Sequence, residues 1–143
     1  MKKTLEELIE DYLLNGSVEK TLCVHVPANT VLLNRNGTSK RSPQCPNCGP
    51  WIDHWHKFSN ENVPSAGCCA IKGCTGRTKD GHLARIEGCH VTIKGHTDQR
   101  VFIAPICQCC NHEPDGAEMV LARPMTLVWS NVQDTCDQHK WDA

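Results

Sequence analysis

Cys69-Ala70-Ile71-Lys72-Gly73-Cys74 and, further along, Cys107-Gln108-Cys109-Cys110 carry the reading of this chain. Each stretch sets two thiols a short step apart, and a structural four-thiolate site is typically assembled from two such pairs distant in sequence. Gly73 stands just before the second thiol of the first pair, where the backbone must turn sharply to aim both sulfurs at one ion. The second pair leaves an apolar run, Arg100 to Ile106, that reads as a strand, and it opens a helix whose first-turn amides stabilise thiolate charge. Cys69, Cys74, Cys107 and Cys110 are therefore expected to hold one structural zinc ion. Cys68 and Cys109 adjoin this set, but the x4 and x2 spacings favour the four named.

The rest of the composition makes such a staple necessary. A chain of 143 residues fits one domain, and with 39% apolar residues, 5% aromatics, 10 Gly and 8 Pro its core is modest. The cysteines number 11, an odd count that includes two adjacent pairs, which suits reduced thiols converging on metal rather than a disulfide framework. Met1-Lys2-Lys3-Thr4-Leu5-Glu6-Glu7 meets acidic residues at once and contains no apolar signal stretch, so a cytoplasmic location is expected. No apolar run approaches the roughly 20 residues of a membrane span. A net charge of −1 gives no global pull toward nucleic acid, and the nearest local patch in the first half, Arg35, Lys40 and Arg41 beside Gly37, reads as a solvated turn.

Around the thiol pairs, Thr4 and Glu7 form a capping box ahead of a stripe of Leu5, Leu8, Ile9, Tyr12 and Leu13, which predicts an amphipathic helix ended by Asn15-Gly16. Alternation predicts strands at 21–26 and 30–33, and 51–58 reads as helical. Extended pieces are expected at 82–86, 90–93 and 125–129. A helix begun at Cys107 is stopped by Pro114 and Gly116. The predicted fold is a single α+β domain. A zinc-stabilised treble-clef, ββα-metal-like core spans 45–116, an N-terminal helix and short strands precede it in 1–44, and a strand and tail follow in 117–143.

Cys45-Pro46-Asn47-Cys48-Gly49 is a second knuckle sequence without an obvious partner pair. His54, His56, Cys68 and Cys23 are the candidates to complete a second zinc site with Cys45 and Cys48.

In the order of its elements the stretch 69–111 resembles the HNH, or His-Me finger, nucleases. Cys69-x4-Cys74 is followed by Gly88-Cys89-His90-Val91, and then by Val101 to Cys107-x2-Cys110-Asn111. The resemblance covers about a third of the chain. It implies a metal-dependent endonuclease acting on nucleic acid, with His90 as general base at a strand end, and Asn111 or His112 facing a catalytic magnesium or manganese ion from the helix.

Two functions follow from these readings. The first is that zinc-braced endonuclease. The second is a non-catalytic zinc module of bacterial or phage origin that binds a protein partner as inhibitor or adaptor. It rests on the near-neutral charge and on Cys89 and Phe102, which stand where the resembled family carries Asp and Asn.

Overall fold

Alternating apolar residues build the described part of this chain around one curled sheet. A computed structural model describes residues 2–7, 23–35, 50–97 and 99–130. The strands are β1 (Lys2–Thr4), β2 (Cys23–Val26), β3 (Val31–Asn34), β4 (Ile86–Ile93), β5 (Phe102–Cys107), β6 (Glu118–Val120) and β7 (Met125–Trp129). They lie in the order β1-β2-β7-β5-β4-β3-β6. β1 joins β2 in parallel, and every other neighbouring pair is antiparallel. The six antiparallel strands curl into a half-barrel.

The period-two pattern sorts the side chains. Phe102, Ala104 and Ile106 of β5 join Val24, Leu32, Cys89, Val91 and Leu127 in the main core, while Ile103 and Val128 face the other way with Cys23. Helix α1 (Trp51–Ser59) covers that second face, lying over β4, β5 and β7. Trp51 and Trp55 are its anchors, and the Trp55 indole N–H donates to Thr126 O at 2.8 Å, so the ring is buried with its polar edge satisfied. Gly88 permits the close approach: a Cβ there would stand 2.6 Å from the Trp51 carbonyl carbon and 2.7 Å from Ile52 N. Pro105 sits mid-strand without an N–H, and the β5–β7 ladder runs only through Phe102↔Trp129 and Ile103↔Val128, ending before it is reached.

The expected treble-clef core does not form. Helix α2 (Gln108–Asn111) lasts four residues, too short to pack as the third element of a ββα unit. The hairpin of β4 and β5 is instead the middle of a sheet continued on one side by β7 and β2 and on the other by β3 and β6. Of the extended pieces expected at 82–86 and 90–93, the second lies within β4 but the first gives that strand only Ile86, with Leu83 in an isolated bridge to Arg77; β1 and β6 are strands where none is expected. The helix expected at 51–58 is α1, and the 125–129 strand is β7. Helical backbone begins at Leu5, where Thr4 Oγ1 accepts the Glu7 N–H at 3.1 Å; the later part of that expected helix lies outside the described residues. No helix among the described residues is long and apolar enough to cross a membrane.

Candidate metal centre

The segment between α1 and β4 folds over the end of the β4–β5 hairpin and brings its two thiols to Cys107 at the end of β5 and Cys110 on α2. In the knuckle, Cys74 N donates to Ile71 O at 3.2 Å, and Gly73 takes φ +80°, a left-handed turn that a side chain would strain. Lys72 N donates to Val120 O and Ala122 N to Ala70 O, so the knuckle is stitched to β6 and the residues just after it. On the other side Cys107 ends β5 in extended conformation and starts α2.

The four Sγ atoms of Cys69, Cys74, Cys107 and Cys110 lie within 4.8 Å of one another, and together they could hold a metal ion. Cys74 and Cys107 are 3.6 Å apart and Cys69 and Cys110 3.9 Å. A tetrahedral ion with metal–sulfur bonds of about 2.3 Å sets its sulfurs about 3.8 Å apart, so the cluster needs little adjustment to close on one.

The electrostatics favour a cation as well. The hydrogen bond from the Cys110 thiol, helped by the Cys107 and Ile71 amides, outweighs burial and holds Cys69 down at about 5. That thiolate in turn drives Cys110 far up, through the same hydrogen bond, burial and charge. Burial first, then Cys69, pushes Cys107 up to about 12. The protein alone therefore accommodates the Cys69 thiolate and resists those of Cys107 and Cys110; a bound cation would favour them. Gly76 N donates to Cys74 Sγ at 3.3 Å, one more dipole aimed at sulfur. No disulfide joins the described cysteines.

Asn34 ties this centre to the sheet, and nothing in its sequence context pointed to it. Fully buried at the end of β3, its Nδ2 donates to Cys110 O, Asn111 O and Glu113 O at 3.1, 3.2 and 3.3 Å. These are carbonyls at and beyond the C-terminal end of α2, which have no partner inside the helix.

The residues expected to be catalytic do not share one opening. His90 is 1% exposed, on the face covered by α1, with its ring 4.7 Å from that of Trp51 in an edge contact. Its Nε2 has no hydrogen-bond partner among the described residues, and burial pushes its pKa down to about 4. Asn111 and His112 lie elsewhere, beside Glu87. Asn111 Nδ2 donates to Glu87 Oε1 at 2.9 Å, Arg85 pairs with Oε2 at 2.8 Å, and His112 Nε2 is 3.5 Å from Oε1. Burial raises the Glu87 pKa, but the Asn111 and Arg85 hydrogen bonds more than offset it and hold the carboxyl below its usual range. Glu87, another residue with no sequence signal, helps line an open cleft of about 490 Å³ with Trp51, Arg85, Gly88 and Asn111. Cys89 is fully buried in the core, where burial pushes its thiol up to about 12.

The second knuckle, Cys45 and Cys48, lies outside the described residues. Three of its candidate partners are engaged locally: His54 Nε2 with Trp129 O at 2.9 Å, His56 Nδ1 with Glu61 O at 2.7 Å and Cys23 Sγ with Phe58 O at 3.0 Å. Comparison with protein families, with curated proteins and with solved structures finds no match for this chain.

Proposed function

We propose that Cys69, Cys74, Cys107 and Cys110 hold one structural zinc ion and that the protein is a zinc-ordered β-sheet module acting by binding a protein partner rather than by catalysis. The observation that carries this is the donor set: four thiols within 4.8 Å of one another fill a tetrahedral shell and leave no position for water or substrate. All-thiolate donors suit zinc and are poor ligands for magnesium or calcium. The ion's contribution is a cross-link between the 65–85 segment and the end of β5, which a chain with a modest core cannot replace.

The endonuclease reading asks His90 to take a proton from water attacking a phosphodiester. In the fold its ring is sealed beneath Trp51, so α1 would have to lift before water reached it. Purified zinc-loaded protein, incubated with magnesium or manganese and single- or double-stranded DNA or RNA, is expected to give no cleavage above that of His90→Ala. Metal-dependent cleavage that His90→Ala abolishes at unchanged zinc content overturns the binding reading and restores the nuclease.

A further inference from the structure

Charge is segregated along this chain. Residues 65–85 hold four cations, Lys72, Arg77, Lys79 and Arg85, against the single anion Asp80, while the remainder holds eleven Lys and Arg against fifteen Asp and Glu. Within a net-acidic protein this stretch, like the one carrying Arg35, Lys40 and Arg41, is basic, and it is the one that also carries Cys69 and Cys74.

Within it a small hairpin is firmly built. Arg77 and Leu83 form an antiparallel bridge, Thr78 N donates to His82 O at 2.8 Å and Gly81 N to Thr78 O at 3.0 Å. Arg77 Nη1 braces the turn on Gly81 O at 2.7 Å. The base is locked because Gly76, at φ +73°, lies so close to Gly67 that a Cβ would stand 2.1 Å from Gly67 O. Lys79, at the turn, is exposed and has no partner among the described residues, whereas Arg85 behind the hairpin is committed to Glu87. Leu83 is 54% exposed, well beyond Val63 at 36%. A single exposed leucine is ordinary; one fixed on a rigid hairpin between cations has the make-up of an interface anchor.

We infer that this hairpin, residues 77–83, is the module's docking surface and that its partner is an acidic protein surface with an apolar recess that receives Leu83 while carboxylates face Arg77 and Lys79. This rests on the partner-binding reading above. Nucleic acid fits less well: residues 65–85 contain no Phe, Tyr or Trp on which a base could stack, and Leu83 gains nothing from phosphates. A protein surface uses both halves of the patch, since cations steer encounter and the apolar anchor slows release.

The test is selection of a random peptide display library on zinc-loaded protein. Fluorescence anisotropy of the enriched peptides follows, against wild type, Leu83→Asp and Lys79→Glu. Both substitutions are at exposed positions, so zinc content and melting temperature should match wild type. A drop in zinc content in Lys79→Glu would mean instead that the cations serve only to offset the thiolates, and it overturns the proposal. The expected result is acidic peptides with interspersed apolar residues, bound about tenfold or more weakly by each variant, with the Lys79→Glu loss shrinking as salt rises past about 0.15 M. Peptides indifferent to both substitutions overturn the site while leaving partner binding intact. Failure to enrich any peptide overturns both. A short DNA duplex bound more tightly than any peptide, or self-association that Lys79→Glu abolishes, overturns it in favour of nucleic acid or a second copy.

Discussion

Cys74 and Cys107 bring their Sγ atoms to 3.6 Å although 33 residues separate them, and that contact fastens the segment before β4 to the end of β5. Two neighbouring thiols, Cys68 and Cys109, are left outside the cluster: Cys68 is exposed and Cys109 Sγ turns to Arg77 O at 3.6 Å. Cys68→Ser and Cys109→Ser should therefore keep one metal per chain by elemental analysis. Cys69→Ser and Cys110→Ser should lose it, and with it a binding energy on the order of 10 kcal/mol that helps hold the fold. Retention in Cys110→Ser with loss in Cys109→Ser would show that the wrong neighbour had been chosen.

Asn34 supports the centre from the adjoining strand, and its removal should be felt in both stability and metal release. Asn34→Ala removes the side-chain donor to Asn111 O and Glu113 O, and one of the donors to Cys110 O, at a cost of about 2 kcal/mol in denaturant unfolding. Zinc transfer to a chromogenic chelator should speed up about tenfold, as when an outer-shell contact to a metal ligand is lost. Asn34→Asp, which faces those carbonyls with an acceptor, should be worse than Ala. Equal unfolding midpoints for all three proteins would remove Asn34 from the account.

Gly88 tests how α1 is seated. The Cβ of Gly88→Ala would collide with backbone atoms of Trp51 and Ile52, which cannot rotate away as a side chain can. The helix must shift, and a loss of about 1–3 kcal/mol is expected at unchanged zinc content. An alanine variant as stable as wild type would mean that α1 does not lie this close to β4.

His90 gives the fold a pH dependence. Burial, with His54 nearby, pushes its pKa from 6.5 to about 4, so the fold accommodates the neutral ring. Its contribution is complete above pH 6.5 and is lost as pH falls from 6.5 toward 4, at about 1.4 kcal/mol per pH unit. His90→Phe cannot take up that proton. Its stability should fall less steeply than that of wild type in this window, while any effect of zinc release is common to both proteins. Parallel curves would place His90 in contact with water.

Local patterns were legible where one element alone decides them. The helix read at 51–58 is α1, and the strand read at 125–129 is β7. The two thiol pairs picked out the four sulfurs that the fold brings within 4.8 Å of one another, because a tetrahedral site demands closely spaced donors. The architecture was not legible. Knuckle, hairpin and helix in order match a small treble clef, and nothing local to Cys107 reports that α2 ends after four residues or that β4 and β5 are flanked by strands from both ends of the chain. β6 is three residues long and is defined by its distant partner β3. The general-base role of His90 came only from the HNH resemblance, through its place at a strand, and the Trp51 ring that covers it arrives from a separate helix.

Four thiolates and nothing else are expected to surround one zinc ion. X-ray absorption at the zinc edge, on protein purified without added metal, reads the donors directly. The expected spectrum is that of one zinc per chain with four sulfur neighbours at about 2.3 Å and no shorter nitrogen or oxygen shell. A nitrogen or oxygen neighbour, or metal-free protein with an unchanged melting temperature, would contradict it.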